Sequence, residues 1–376
     1  MSKLLEILPV DPADPLAIMP ALEQALTGRR ALLPVPTNDP TRLSLLRNTQ
    51  LVGEPIDEDI ALVVATSGST GVPKGALLSA RNLISSADAT HQVLGGEGQW
   101  LLSMPAAFIA GIQVLVRSMV AGVEPEFVDL SRGFSVAQFA AKSYTLAATG
   151  DRTYTALTPL QLSKAMSTLD GIEALRTFSA VLVGGAATNP QLLKSASKLR
   201  INVVTTYGSS ETSGGCVYAG RPIAGASVRV KNGRIYLGGP MVARGYRNAP
   251  SGEAFPEPGW FATSDAGSLA DATLTVHGRI DNVIVSGGMK LHPEVLENIL
   301  LGIEGVTAAS VVGVDDERFG QRICAAYTGS ASRADILSVL DDLPRWQVPK
   351  EIMPVAALPL LGPGKVDRAA VRELFR

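Results

Sequence analysis

Between Thr66 and Gly75 the chain reads TSGSTGVPKG: three glycines, four hydroxyl side chains and one lysine, directly after the apolar run IALVVA at Ile60–Ala65. Glycines let successive backbone N–H groups converge, hydroxyls donate hydrogen bonds and the lysine adds charge, which together make a phosphate cradle. A Walker loop would need a second glycine at position 73 and Ser or Thr after the lysine. Position 73 is proline and Lys74 is followed by Gly75, so the loop is not of that kind. A second polar cluster, GSSETSGG, starts at Gly208 after the run INVVTTYG and carries one acid, Glu211. Ligands of open α/β sheets collect at the carboxyl ends of strands, so two such loops predict one shared site.

The elements that must position these loops follow from short Val/Ile/Leu runs alternating with helical patterns, the signature of buried parallel strands and crossover helices. AVLVGG at Ala180–Gly185 reads as a strand, and Asn189-Pro190 opens the next helix with a cap and a first-turn proline. From about Gly220 the strands become shorter and glycine-punctuated, with a hairpin turn expected at Asn232-Gly233. Beyond His277–Asn282, His292-Pro293 opens a helix, ASVVGV and RICAAYT read as strands, and SRADILSVLDDL as a helix. The expected fold is α/β: a large N-terminal domain of layered α/β subdomains at 1–277 and a small, mobile α+β C-terminal domain at 278–376, with a hinge near 279–282.

Composition narrows the function. Of 376 residues 46% are hydrophobic and 18% charged, and 33 basic side chains face 35 acidic ones. That balance makes no electrostatic case for nucleic acid or an anionic membrane. The two cysteines form no CxxC pair, which suits a reducing compartment, and the three histidines lie too far apart for zinc-ligand spacing. MSKLLEILPVDPADP lacks the form of a signal peptide, and LLSMPAAFIAGIQVLV is interrupted by Pro105, Gly111 and Gln113, so no membrane insertion is expected. The totals describe a cytoplasmic enzyme acting on small molecules.

The order of residues goes further. TSGSTGVPKG resembles the phosphate-binding signature of the adenylate-forming enzymes, the acyl- and aryl-CoA synthetase superfamily. TYGSSET at Thr206–Thr212, GWFATSDAG at Gly259–Gly267, GRIDNVIVSGGMKLHPEVLE at Gly278–Glu297 and LPLLGPGKVDR at Leu358–Arg368 resemble four further signatures of that superfamily, in the same order. The resemblance implies that a carboxylate attacks the α-phosphate of ATP to give an acyl-adenylate, and that a thiol, usually CoA, then displaces AMP. The cofactors and co-substrates it implies are ATP, Mg2+ and CoA.

Carried over residue by residue, Thr66, Ser67, Gly68, Ser69, Thr70, Gly71 and Lys74 would hold the β- and γ-phosphates, with Thr66 also counted among the catalytic residues. Glu211 would coordinate Mg2+, Tyr207 stack on adenine beside Gly208, and Ser210 and Thr212 donate to the α-phosphate. Asp265 would accept the ribose hydroxyls, and Arg279 would contact the ribose or phosphates. Lys365 would neutralise charge as the adenylate forms. Asp281 matches the hinge, about which the small domain would turn to bring Ser286, Gly287, Gly288 and Lys290 toward CoA, with Arg318 and Arg322 as further basic residues for its phosphates.

Three departures stand out. Ser264 replaces the usual glycine before Asp265, Ala107-Phe108 stand where relatives carry histidine or another aromatic, and only 65 residues precede Thr66. The compact form resembles the o-succinylbenzoate–CoA ligases of menaquinone biosynthesis, and a homodimer could support the shortened N-terminal region. Its acid pocket would be walled by Phe108, Ile109, Gly111, Leu160 and the strand end Gly184, Gly185 and Ala186. A second substrate carboxylate would need a partner among Thr158, Gln161, Ser209, Ser213 and Arg117, although an arginine ending an apolar helix more often snorkels to water. The alternatives are a CoA ligase for another aryl or medium-chain acid, an adenylation enzyme loading a carrier protein, and a catalytically dead nucleotide-binding regulator.

Overall fold

The structure is a computed structural model that describes residues 3–66, 72–362 and 365–376. Within these the chain divides into two compact units. The first comprises residues 1–185, 196–229 and 236–263, and the second 186–195, 230–235 and 264–376. The α/β class expected from the sequence is borne out.

The first unit holds two sheets. One has five strands in the order Pro55–Ile56, Lys3–Val10, Ala31–Pro36, Ile60–Ala65, Gly75–Ser79. Every residue of Ile60–Ala65 is buried, as its unbroken apolar run requires. It pairs antiparallel with Gly75–Ser79, Ala65 opposite Gly75, so the glycine-rich stretch is the connection of a hairpin. The other sheet has seven strands, ordered Arg221–Pro222, Gly214–Tyr218, Val203–Ser209, Ala180–Val183, Thr153–Leu157, Gln99–Leu102, Glu126–Phe127. Its last five strands are parallel, and the inner three, Ala180–Val183, Thr153–Leu157 and Gln99–Leu102, are almost wholly buried, as strands covered on both faces are. Gly214–Tyr218 runs antiparallel to Val203–Ser209, so the chain reverses through Ser210–Thr212 at the carboxyl end of that strand.

The helix Ala80–Leu94 starts at a capping box made by Ser79 and Asn82 and packs against the helix Ile109–Ala121. The latter is apolar nearly all round, IAGIQVLVRSMVA, and accordingly lies buried from Gly111 to Ser118.

The strand Trp260–Ala270 passes into the second unit at Ser264 and forms a hairpin with Thr273–Arg279 that sets Asp265 opposite Arg279. Four strands follow in the order Met289–Leu291, Ile284–Ser286, Gly320–Gly329, Val306–Asp316, and Glu351–Pro354 adds parallel to Gly320–Gly329. The helix Pro293–Leu301 lays Leu296 and Leu300 on this sheet in a core with Val311, Ile323, Tyr327 and Ile336. Gly287-Gly288 form the two-residue turn between Ile284–Ser286 and Met289–Leu291, at φ 58° and 81°, where any side chain would be strained. Asn232-Gly233, at φ 50° and 77°, make the expected tight turn between Ser227–Lys231 and Arg234–Gly238.

Arg368 anchors the last helix, Arg368–Glu373, to this unit. Its two Nη atoms reach both oxygens of Glu297 at 2.7 and 2.8 Å, and Nη2 reaches Glu294 Oε1 at 3.3 Å. Burial raises the Glu297 carboxyl against the opposing pull of Arg368. Removing the arginine leaves two half-buried carboxylates uncompensated, so Arg368→Met should cost about 3–5 kcal/mol of stability. Without Arg368 the folded pKa of Glu297 rises further above its unfolded value, a contribution that favours folding at low pH and is lost as pH rises. Thermal unfolding should therefore show a smaller deficit at about pH 5 than at about pH 8.

Among the described residues no helix is long and apolar enough to cross a membrane.

Candidate functional site

The strand Gly75–Ser79 that leaves the first polar stretch and the turn carrying Glu211 come together in the first unit, joined by a third segment, Ala243–Asn248, that carries no such local signal. The backbone of this segment runs beside the strand Gly75–Ser79: Leu77 N donates to Gly245 O, Arg244 N to Leu77 O and Arg247 N to Gly75 O, at 2.8–2.9 Å. The same segment reaches the second loop, where Ala243 N donates to Glu211 O at 2.8 Å.

Side chains complete the join. Lys74 Nζ lies 5.0 Å over the Tyr246 ring, and Tyr246 Oη donates to Glu211 Oε1 at 2.8 Å. Glu211 and Tyr246 are 8% and 9% exposed, whereas Lys74 is exposed. At the base of the phosphate loop Thr66 N donates to Lys74 O at 2.8 Å. Pro73 O accepts from Gln50 Nε2 at 2.8 Å and from Asn248 Nδ2 at 2.9 Å, while Gly75 N donates to Asn248 Oδ1 at 3.0 Å. Two amides 198 positions apart thus fix where the loop leaves its strand.

Gly75 is required by this packing, because a Cβ there would stand 2.0 Å from Gln50 Oε1 and 2.6 Å from Val63 Cγ1. Gly75→Ala should push Gln50 off Pro73 and destabilise the fold by about 1–3 kcal/mol. Thermal unfolding and nucleotide titration should register both the loss of stability and weaker phosphate binding. Ser67, Gly68, Ser69, Thr70 and Gly71 lie outside the described residues.

The loop at Ser210–Thr212 is a single turn with its own hydrogen bonds. Thr212 is fully buried, and its hydroxyl accepts from Ser209 N at 2.9 Å and donates to Gly214 O at 2.8 Å. This hydroxyl helps to hold the turn that presents Glu211. Gly208 packs so closely on the returning strand that a Cβ would lie 2.1 Å from Gly214 O. Ser210 and Tyr207 are half-buried on this end of the sheet.

Three other expected donors are also engaged by backbone. Thr158 and Gln161 form a capping box on the helix Pro159–Met166: Thr158 N donates to Gln161 Oε1 at 2.8 Å, and Gln161 Nε2 donates to Ser103 O at 2.8 Å. Ser213 Oγ donates to Met241 O at 2.9 Å. The hydrogen bonds of these three residues are thus made within the protein. Leu160, expected in a pocket wall, is 60% exposed. Two candidates keep unused capacity: Ser209 Oγ and Arg117 Nε are buried and have no hydrogen-bond partner among the described residues.

Arg117 does not snorkel. It is 3% exposed, with its guanidinium carbon 5.0 Å from the Trp100 ring centroid and Nη2 donating to Tyr218 Oη at 3.3 Å. Tyr218 Oη in turn lies 2.9 Å from Thr90 Oγ1, and Trp100 Nε1 donates to His91 Nε2 at 3.3 Å. No carboxylate pairs with Arg117 among the described residues, and burial pushes the guanidinium below its ordinary range. Burial lowers His91 too, with Arg117 adding to the effect. Arg117 lies on the same helix as the expected pocket residues Ile109 and Gly111, which begins after Phe108. Gly184 abuts Thr206, and Gly185, at φ 82°, ends the neighbouring strand.

In the second unit Arg279 sits between two of the predicted acids. Its Nε donates to Asp281 Oδ1 at 2.9 Å, and its Nη1 lies 4.0 Å from Asp265 Oδ1. Ser286 is buried and Lys290 exposed at opposite sides of the Gly287-Gly288 turn. Arg322 is engaged by Phe375 O at 2.6 Å and Glu351 at 3.2 Å, which removes it from the expected basic group, whereas Arg318 is exposed. Lys365 lies in a two-residue strand, Lys365–Val366, opposite Gly362; its side chain lies outside the described residues.

The fold is that of an adenylate-forming enzyme, as comparison with known proteins shows. The family profile AMP-binding enzyme matches residues 9–247, and the profile AMP-binding enzyme C-terminal domain matches residues 295–365. The chain belongs to the AMP-binding enzyme family. It is 44% identical, over 95% of either chain, to a probable 2-succinylbenzoate–CoA ligase of Mycobacterium tuberculosis. Identity to the 2-succinylbenzoate–CoA ligase of Salmonella typhimurium is 30%, covering 98% of this chain and 81% of that one. Among solved structures it resembles o-succinylbenzoate CoA synthetase (MenE) from Bacillus subtilis in complex with the acyl-adenylate intermediate OSB-AMP, with a TM-score of 0.84 and 21% identity over 98% of this chain and 88% of that one. Wild-type MenE of E. coli with a bound phenylether-linked analogue of OSB-AMS gives 0.76 and 22%, over 100% and 89%.

Proposed function

We propose that this protein is an AMP-forming o-succinylbenzoate–CoA ligase acting in the cytosol as a step of menaquinone synthesis. The observation that carries the reading is the join of Lys74, Tyr246 and buried Glu211 at two neighbouring strand ends, a cation and a carboxylate set for a triphosphate and its metal. The similarity to the 2-succinylbenzoate–CoA ligases, sustained along nearly the whole chain, supports the choice of acid.

In the first half-reaction a substrate carboxylate oxygen bonds to the α-phosphorus of ATP, and the bond to the bridging oxygen breaks with release of pyrophosphate. Both partners are anions, so the protein's task is positioning and charge cancellation. The loop Thr66–Lys74, including Ser67, Gly68, Ser69, Thr70 and Gly71, holds the β- and γ-phosphates; Tyr207 covers adenine, and Asp265 accepts from the ribose hydroxyls with Arg279 beside it. Lys365 neutralises the carboxylate and α-phosphate oxygens as their bond forms.

The donor set fits Mg2+. Glu211 Oε1 is held by Tyr246, leaving Oε2 for a hard cation, and among the described residues no cluster of three or more His, Cys, Asp or Glu could hold a metal alone. Glu211 would hold the ion, which when bound would neutralise charge on the phosphates. In the second half-reaction the CoA sulfur bonds to the acyl carbon and AMP leaves with the electron pair. The domain 278–376 turns about 279–282, with Asp281 at the pivot, and brings Ser286–Lys290 to the pantetheine arm.

The direct test is ATP- and CoA-dependent thioester formation from o-succinylbenzoate beside benzoate, hexanoate and a monoacid lacking the second carboxylate. Turnover confined to o-succinylbenzoate is expected. Equal turnover of the monoacids would keep the mechanism and discard the pathway.

A further inference from the structure

We infer that Tyr246 is the positioning residue that couples the phosphate loop to the metal-binding carboxylate, an inference that rests on the ligase reading above. Three observations carry it. Tyr246 touches both functional groups: its ring face lies 5.0 Å beneath Lys74 Nζ and its hydroxyl donates to Glu211 Oε1 at 2.8 Å. It is 9% exposed and packed edge-on against Phe255, with ring centroids 5.2 Å apart, so its ring has a fixed place. Its backbone is fixed as well: Tyr246 N donates to Ser251 Oγ at 2.9 Å, and the flanking residues pair with the strand Gly75–Ser79 on one side and Glu211 O on the other.

The physical consequence is a division of labour within one side chain. A ring face attracts a cation through its quadrupole, which steers Lys74 without neutralising it. The hydroxyl anchors one carboxylate oxygen of Glu211, so the other keeps a constant direction toward a cation shared with the triphosphate. The two contacts can be removed separately, because phenylalanine keeps the ring and loses only the hydroxyl.

The experiment compares wild type, Tyr246→Phe, Tyr246→Leu, Glu211→Gln and the double variant Tyr246→Phe/Glu211→Gln for adenylation rate, Mg2+ half-saturation and binding of a fluorescent ATP analogue with and without Mg2+. Tyr246→Phe should lower adenylation kcat and raise the Mg2+ half-saturation, each by about 10- to 100-fold, the loss expected for a hydrogen bond to a charged group. Analogue binding without Mg2+ should stay unchanged. Tyr246→Leu should also weaken metal-free binding by about 3-fold or more through the lost ring–lysine contact. In the Glu211→Gln background the hydroxyl should matter less than about 2-fold, since the charge it serves is gone. Ser251→Ala, which loosens only the backbone of Tyr246, should shift Mg2+ dependence in the same direction by less and serves if the phenylalanine variant folds poorly. Active wild type with Tyr246→Phe unchanged in Mg2+ dependence, or weakened equally with and without Mg2+, overturns this inference alone. Wild type that binds no Mg2+–ATP overturns the ligase reading and this inference together.

Discussion

Replacing Lys365 by alanine should abolish adenylation, lowering pyrophosphate release by roughly 10²–10³-fold or more, while thioester formation from supplied acyl-adenylate and CoA proceeds at the wild-type rate. The expected size follows from charge. Bringing a carboxylate against a phosphate places two anions at bonding distance, and a lysine aimed at their oxygens acts mainly in the transition state, where the charge is most concentrated. The second half-reaction expels AMP from a neutral acyl carbon and has no such pair to neutralise.

The asymmetry is the informative part. In the second unit the lysine strand Lys365–Val366 and the Gly287-Gly288 turn are separate features, on a two-stranded hairpin and on the five-stranded sheet respectively. If each serves one half-reaction, one substitution must silence one half alone. Gly288→Ala should give the mirror result, since its φ of 81° is unfavourable to a side chain and the turn would be disturbed. Equal loss of both halves in Lys365→Ala would refute the two-conformation scheme and leave Lys365 as a general binding residue.

The parts of this molecule legible in the sequence were those written by local rules. Ile60–Ala65 was bounded correctly because an unbroken apolar run ends at a glycine and hydroxyl cluster, and Asn232-Gly233 announced its turn. The order of the signatures placed Lys74 and Glu211 in one family and one site. What escaped depends on contacts far apart in the chain. Tyr246 lies 35 positions from Glu211 and 172 from Lys74, and nothing within ARGYRN points to either. Gln50 and Asn248 meet only at Pro73 O, so neither carries a local signal. Two features of the site's surroundings carry a local signal. Thr158-Pro159-Leu160-Gln161 spells a capping box, which takes both polar side chains out of use before any substrate is considered. Arg117 belongs to a helix that is apolar nearly all round, and such helices are buried, so the rule for snorkelling arginines does not apply.

That buried arginine yields the sharpest test of substrate identity. Arg117→Met should lower kcat/KM for o-succinylbenzoate by about 100-fold or more, the loss expected when one member of a desolvated charge pair is truncated. The same variant should leave a monoacid lacking the second carboxylate within about 2-fold of wild type. Distance supports this assignment. Arg117 lies eight residues beyond Ile109 along one helix, a rise of about 12 Å, so an acid activated near Phe108 would extend its far end toward the guanidinium. Stability should move the other way. A cation 3% exposed and without a carboxylate among the described residues costs free energy in the empty protein, so methionine should hold or raise the melting temperature. Tyr218 keeps its contact with Thr90 in the variant, which leaves that hydroxyl satisfied. Arg117→Lys should fall between, keeping the charge but losing the planar fork that fits a carboxylate. A residue that merely fills space would behave oppositely: its loss would lower the melting temperature and impair every acid alike. The combination of a steadier fold and a substrate-specific defect is therefore the result that assigns Arg117 to the second carboxylate.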